Sequence, residues 1–207
     1  MSAFPHTVRA KLAKSLKYPF VGEDMDFSGA VLNGGSSTRM GKDKAEISFK
    51  NKRLIDISLE ALAGARANEI FIVGGASRVA EDSLNILYCQ DMFPGEGPLG
   101  GIISALSVAE YDVLVTLPCD HLYVTSQVVE QCLAALSIHE MACPLLEDTK
   151  QVLCSAWRKS GLKKLKEIFD SGTRSVMDAV SLLDVVTFQV SNPEILRTAN
   201  TIDELWQ

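Results

Sequence analysis

An α/β fold, doubly wound with a mainly parallel sheet and helices on both faces, is predicted for this chain by three observations. Short, nearly continuous apolar runs recur along the sequence. Segments with helical periodicity separate them. Several of the apolar runs end in glycines or in Pro118-Cys119-Asp120, the punctuation expected where strands pass into loops. Strands buried on both faces read in this way, and alternation with helices brings successive strands in parallel.

Taken in order, Gly29-Ala30-Val31-Leu32-Asn33 is a short buried strand. Leu54, Ile57, Ala61, Leu62 and Ala65 fall at i, i+3, i+7, i+8 and i+11, one face of a helix. Ile70-Phe71-Ile72-Val73 is the next strand, stopped by Gly74-Gly75, and Asn85 to Cys89 is a third. Gly95 to Gly101 form a glycine-rich turn into a helix that runs to about Val108. Asp112 to Leu117 is the most apolar strand, and a helix covers about Thr125 to Leu136. Met141–Leu146 and Val152–Trp157 read as a strand pair. Helices at Leu162–Phe169 and Val176–Leu182 then lead to a last strand, Val185–Val190.

Composition narrows the functional classes. The chain has 207 residues, 47% of them apolar, enough for one domain with a sizeable core. Its 20 Lys and Arg against 26 Asp and Glu leave a net charge of −6, so the broad basic footprint that binds nucleic acid is missing. Five cysteines form no C-x-x-C pair and have no His at zinc-ligand spacing. They read as free, mostly buried thiols of a cytoplasmic protein. No apolar run reaches membrane-spanning length.

Residues 1–27 read as an appendage to a single domain at 28–207. Up to Gly22 they hold four basic residues and no acid, with Val8, Leu12, Leu16 and Phe20 at helical spacing. This is a basic amphipathic helix or a disordered lead, too polar for a secretory signal.

Ligands of such sheets sit beyond the carboxyl ends of the strands. There the first strand opens into Leu32-Asn33-Gly34-Gly35-Ser36-Ser37-Thr38-Arg39-Met40-Gly41-Lys42-Asp43-Lys44. Glycines that expose backbone N–H groups, together with three cationic side chains, suit a polyphosphate. The spacing is neither a P-loop nor a dinucleotide fingerprint: five residues separate Gly35 from Gly41, Asp43 follows Lys42, and no G-x-G occurs in this loop. Asp120 stands at the carboxyl end of another buried strand. A carboxylate beside a phosphate loop suits magnesium, which prefers one or two carboxylates plus substrate phosphates.

The segment Leu32–Lys44, of the form L-x-G-G-x-S-x-R-M-G-x-D-K, resembles the signature of molybdenum cofactor guanylyltransferases. The resemblance continues through Asp91, Gly97-Pro98-Leu99-Gly100-Gly101, Cys119-Asp120 and the ending Asn200-Thr201-Ile202-Asp203-Glu204-Leu205. It implies a Rossmann-like fold of nucleotidyltransferase type and Mg2+-dependent transfer of GMP from GTP to molybdopterin. It also implies site roles. Arg39, Lys44 and Asp120 would be catalytic, with Asp120 the metal ligand. Leu32, Asn33, Gly34, Gly35, Lys44, Asp91, Gly97, Pro98, Leu99, Gly100 and Asp120 would line the nucleotide site. Arg174 matches a basic position that would face the pterin phosphate. Molybdoenzymes or their chaperones would be further partners.

Departures from the family pattern are local. Asn33 replaces a usual Ala, and no Asn follows Val73-Gly74. Prolines common after the metal carboxylate are missing from His121–Thr125. Asn51 replaces a turn glycine, a change that asparagine's tolerance of left-handed backbone makes inexpensive. Arg53 stands where the family usually has proline. His121 is expected as a polar loop-end residue, Cys119 as a packing residue, and Trp157 and Trp206 as core or interface. Two alternatives stay open: a cytidylyltransferase of the same cofactor, and a GTP-binding accessory protein without turnover. Relatives of the first kind tend to read L-A-A-G and to lack a G-P-L-x-G.

Overall fold

A computed structural model describes residues 25–34, 45, 47–75 and 86–198. The appendage up to residue 24, the basic part of the glycine loop (35–44) and the chain end from 199 lie outside them, and with them Gly35, Arg39, Lys44 and Trp206.

β1 (Ser28–Leu32) lies inside the sheet, hydrogen-bonded in parallel to β4 (Glu69–Val73) on one side and β6 (Val113–Pro118) on the other. β5 (Ile86–Cys89) extends the sheet beyond β4, again in parallel. On the far side of β6 come β9 (Ser155–Arg158), β7 (Met141–Leu146) and β10 (Val185–Gln189). The order is β10-β7-β9-β6-β1-β4-β5, and β8 (Thr149–Lys150) pairs with β7. β9 runs antiparallel to both of its neighbours, while β10 is parallel to β7.

Side-chain alternation along the strands builds two cores. Val31, Ile70, Ile72, Val115 and Leu117 face α1 (Leu54–Gly64) and α3 (Ser126–Leu136), meeting Leu59, Leu62, Val128 and Leu136. Ala30, Leu32, Phe71, Val73 and Leu114 face α2 (Pro98–Val108), α4 (Leu162–Asp170) and α5 (Val176–Val180), meeting Leu99, Ile102, Leu106 and Phe169. Period-two alternation in strands that are almost wholly apolar therefore covers both faces of the sheet, as predicted. Trp157 is a core residue, 1% exposed, and donates from Nε1 to Thr116 Oγ1 at 3.0 Å.

Three elements differ from the sequence reading. A hairpin of β2 (Ser48–Phe49) and β3 (Lys52–Arg53), too short to give a strand pattern, turns through Lys50 and Asn51, both in the left-handed region at φ 48° and 65°. Its Phe49 packs with Leu54 and Leu122, and edge-on against Tyr123 at 5.5 Å between ring centres. The stretch Val152–Cys154, read as the start of a strand, is a turn closed by Cys154 N–H donating to the Gln151 carbonyl. The helix from Val176 stops at Val180, two residues before its expected end.

Candidate active site

From β1 the chain proceeds to β4 and β5 on one side, and then crosses back to β6 on the other. The carboxyl ends of β1 and β6 thus flank a topological switch point, where the helices on the two faces diverge and leave a crevice. Leu32 stands in register with Pro118, and the Cys119 N–H donates to the Leu32 carbonyl at 3.2 Å. The first residues of the glycine loop and Asp120 are thereby held on adjacent strand ends. From the α1 side, buried Ser58 donates from Oγ to the Pro118 carbonyl at 2.8 Å and fixes the end of β6.

Across β1, Asn33 N–H donates to the Val73 carbonyl at 2.9 Å, extending the ladder one residue beyond the strand. Gly34 then lies against Gly74: a Cβ on Gly74 would sit 3.5 Å from Gly34 Cα and 3.8 Å from Asp91 Cβ. Asp91 turns its two oxygens to different tasks. Oδ1 accepts from Phe93 N–H at 2.9 Å and lies 3.4 Å from Ser104 Oγ, while Oδ2 faces Gly34. Ser104 Oγ also accepts from Met92 N–H at 2.9 Å and donates to the Gly100 carbonyl at 2.8 Å, coupling this loop to α2.

Gly97 is the N-cap of α2 and Pro98 its first residue, and both are exposed. Leu99 and Gly100 are buried, so Leu99 contributes packing. Gly100 is required by closeness: a Cβ there would lie 2.8 Å from Phe93 Cβ. Arg174 is held against this turn. Its guanidinium pairs with Glu96, donates to the Phe169 carbonyl at 2.6 Å and stacks 3.9 Å above the Phe169 ring. Any phosphate at Arg174 must compete with Glu96.

The structure therefore brings Leu32, Asn33, Gly34, Asp91, Gly97, Pro98, Leu99, Gly100 and Asp120 to one end of the sheet. Asp120 is half-buried; its neighbour His121 is 2% exposed, in a β-bridge with Thr198. Burial pushes the His121 imidazole down to about 4, against the opposing pull of the Asp120 carboxylate, so it is neutral at pH 7. Among the described residues no group of three or more His, Cys, Asp or Glu could hold a metal unaided. Five free cysteines occur, with Cys119 half-buried and the others buried. Sequence reasoning missed Ser58 and Ser104, each a lone serine among the inward-facing apolar residues of its helix.

Residues 29–185 match the sequence model of the MobA-like NTP transferase domain. The chain is 31% identical over 202 residues to a probable molybdenum cofactor guanylyltransferase of Peptoclostridium acidaminophilum, covering 90% of each chain. It is 29% identical over 164 residues to one from Bacillus cytotoxicus, covering 76% of this chain and 81% of that one. Among solved structures it is similar to molybdopterin-guanine dinucleotide biosynthesis protein A from Archaeoglobus fulgidus, with a TM-score of 0.69 and 23% identity over 86% of this chain and 95% of that one. A 2-C-methyl-D-erythritol 4-phosphate cytidylyltransferase from Thermus thermophilus shares the fold at a TM-score of 0.70 and 12% identity, over 88% of this chain and 96% of that one.

Proposed function

The chain belongs to the MobA-like NTP transferase family, and from that membership we propose that it transfers GMP from GTP to the terminal phosphate of molybdopterin. The products are molybdopterin guanine dinucleotide and pyrophosphate. The observation that carries this reading is the Leu32–Cys119 bond, which sets the start of a loop of phosphate-binding composition on the strand end next to that of Asp120, at the switch point of the sheet.

The chemistry needs no protein base. The terminal phosphate of molybdopterin is already ionised at neutral pH. One of its oxygens forms a bond to the α-phosphorus of GTP as the bond from that phosphorus to the β-bridging oxygen breaks. Two anions must approach each other, and Arg39 and Lys44 would offset that repulsion and hold the groups in line. His121, 2% exposed, is assigned no part in the step.

A divalent metal is consistent with the family, and we take it to be magnesium. The residues present fit one: half-buried Asp120 would supply one hard oxygen ligand and the substrate phosphates others. Bound there, the cation would neutralise charge on the transferring phosphoryl group. Among the described residues no helix is long and apolar enough to cross a membrane. Five free thiols suit a reducing cytoplasm.

Thermal unfolding with magnesium and GTP, CTP or ATP tests the nucleotide. A ligand at about 100 times its dissociation constant stabilises by about 2.7 kcal/mol, about 5–10 °C for a chain of this size. A shift with GTP alone is expected. A shift with CTP alone moves the assignment to the cytidylyl alternative.

A further inference from the structure

One buried group in the site has no task in the resting protein. Asn33 is 8% exposed, and its Nδ2 has no hydrogen-bond partner. A buried NH2 left unpaired carries its whole desolvation cost, and such groups in native proteins call for an explanation. The amide is also seated on ground cleared for it. A Cβ at Gly75 would lie 2.3 Å from Nδ2 and 3.0 Å from Cγ, and Gly75 has φ +69°, which L side chains seldom adopt.

Its surroundings define the ligand chemistry. The Asn33 backbone N–H is committed to Val73, so the side-chain amide is the donor this residue has left to offer. Neither Gly74 nor Gly75 brings a side chain. Asp91 Oδ2 lies 3.9 Å from where a Gly34 Cβ would stand, so a carboxylate flanks the same glycine surface. A phosphoryl oxygen would be repelled there. A neutral acceptor would not; a nucleobase carbonyl is the strongest that a nucleotide provides, and unlike ribose hydroxyls and purine ring nitrogens it differs between GTP and ATP.

We infer that the Asn33 side-chain amide donates to the base carbonyl O6 of guanine and is a specificity-determining residue for GTP over ATP. Adenine has an amino group at that place and would set N–H against N–H. A site that hydrogen-bonds one partner rejects the analogue that leaves its buried group unpaired. The inference rests on the guanylyl reading of this site.

The test compares wild type, Asn33→Ala and Asn33→Asp with GTP, ITP and ATP, by thermal shift and by kcat/KM for pyrophosphate release. Asn33→Ala should leave the nucleotide-free midpoint unchanged or higher, because an unpaired donor is removed. Its kcat/KM for GTP should fall about tenfold, the cost of one hydrogen bond. ITP should lose the same factor, since inosine keeps the carbonyl and lacks only the exocyclic amine. ATP should lose nothing, so the GTP-to-ATP ratio narrows about tenfold. Asn33→Asp, equal in size, puts a charged acceptor in place of the donor; it repels O6 and can accept from the adenine amine, so the ratio should narrow at least as far. An unchanged ratio in both variants overturns the inference, as does a lower nucleotide-free midpoint for Asn33→Ala, which would make the amide structural. Wild type that responds to CTP and not to GTP overturns the guanylyl reading itself, a result separable from the other two.

Discussion

The Cys119 N–H donates to the Leu32 carbonyl at 3.2 Å, so the strand that ends in Asp120 is fastened to the strand that opens the glycine loop. The bond extends the parallel ladder in which Leu32 faces Pro118. Its consequence is positional: the carboxylate and the start of the loop ride on neighbouring, fully buried strands. Catalysis by alignment and charge neutralisation requires that kind of rigidity, because small misplacements are costly.

If Asp120 holds the cation, Asp120→Asn should lower turnover by about 100-fold or more while the protein still unfolds cooperatively. Lys44→Ala should act in the same direction. Excess EDTA should abolish pyrophosphate release from wild type, and added magnesium should restore it. Full turnover by Asp120→Asn would remove that residue from the chemistry.

Ser104 gives a different signature. Ser104→Ala leaves Met92 N–H without its acceptor and frees the Asp91 loop from α2, while Asp91 keeps its bond from Phe93. Stability should fall by about 1–3 kcal/mol. KM for GTP should rise more than kcat falls, because the serine supports nucleotide binding from behind. Denaturant unfolding and steady-state kinetics on one preparation read both effects.

Gly75→Ala should be destabilising through two linked causes: a left-handed backbone, worth about 1–2 kcal/mol, and collision with the Asn33 amide. Only the second depends on Asn33. The double variant with Asn33→Ala should therefore be less destabilised than the two single changes summed, with a coupling of at least about 0.5 kcal/mol. Additive values would mean that the two residues are not in contact.

Alkaline pH offers a check on the buried thiols. Burial pushes Cys89 up to about 11, with the Asp91 charge adding to it; burial likewise raises Cys143 to about 11, against the opposing effect of Lys150. Unfolded thiols titrate near 9, so between pH 9 and 11 the unfolded chain releases protons that the native chain keeps. The stabilisation from these groups is complete below pH 9 and is lost as pH rises through 11. The unfolding midpoint should fall over that window, and less steeply in the Cys89→Ala/Cys143→Ala variant. At pH 8, alkylation of native protein should favour Cys119, the half-buried thiol.

The sheet and its helices were legible because β1, β4 and β6 are nearly continuous apolar runs, broken only by Ser28, Glu69 and Thr116, and α1 and α2 carry helical periodicity. The hairpin at Lys50-Asn51 was not, since two-residue strands carry no period. Val152–Cys154 misled because apolar residues also fill turns that pack on a core. In the site, Leu32–Gly34 and Asp120 could be read from strand ends, where the fold places ligands whatever the distant contacts are. The pairing of Asn33 with Gly75, of Ser104 with Asp91 and of Arg174 with Glu96 could not. Each depends on the register between elements far apart in the chain, which local pattern does not encode. His121 looked like a loop residue because its burial comes from the segment around Thr198 that bridges to it.

The most direct test of the central claim follows the label from α-phosphate-labelled GTP, incubated with the full chain, magnesium and molybdopterin. The expected result is label in molybdopterin guanine dinucleotide, one pyrophosphate released per dinucleotide formed, and no labelled product from CTP. GTP binding without pyrophosphate release, or product from CTP and none from GTP, would contradict the assignment.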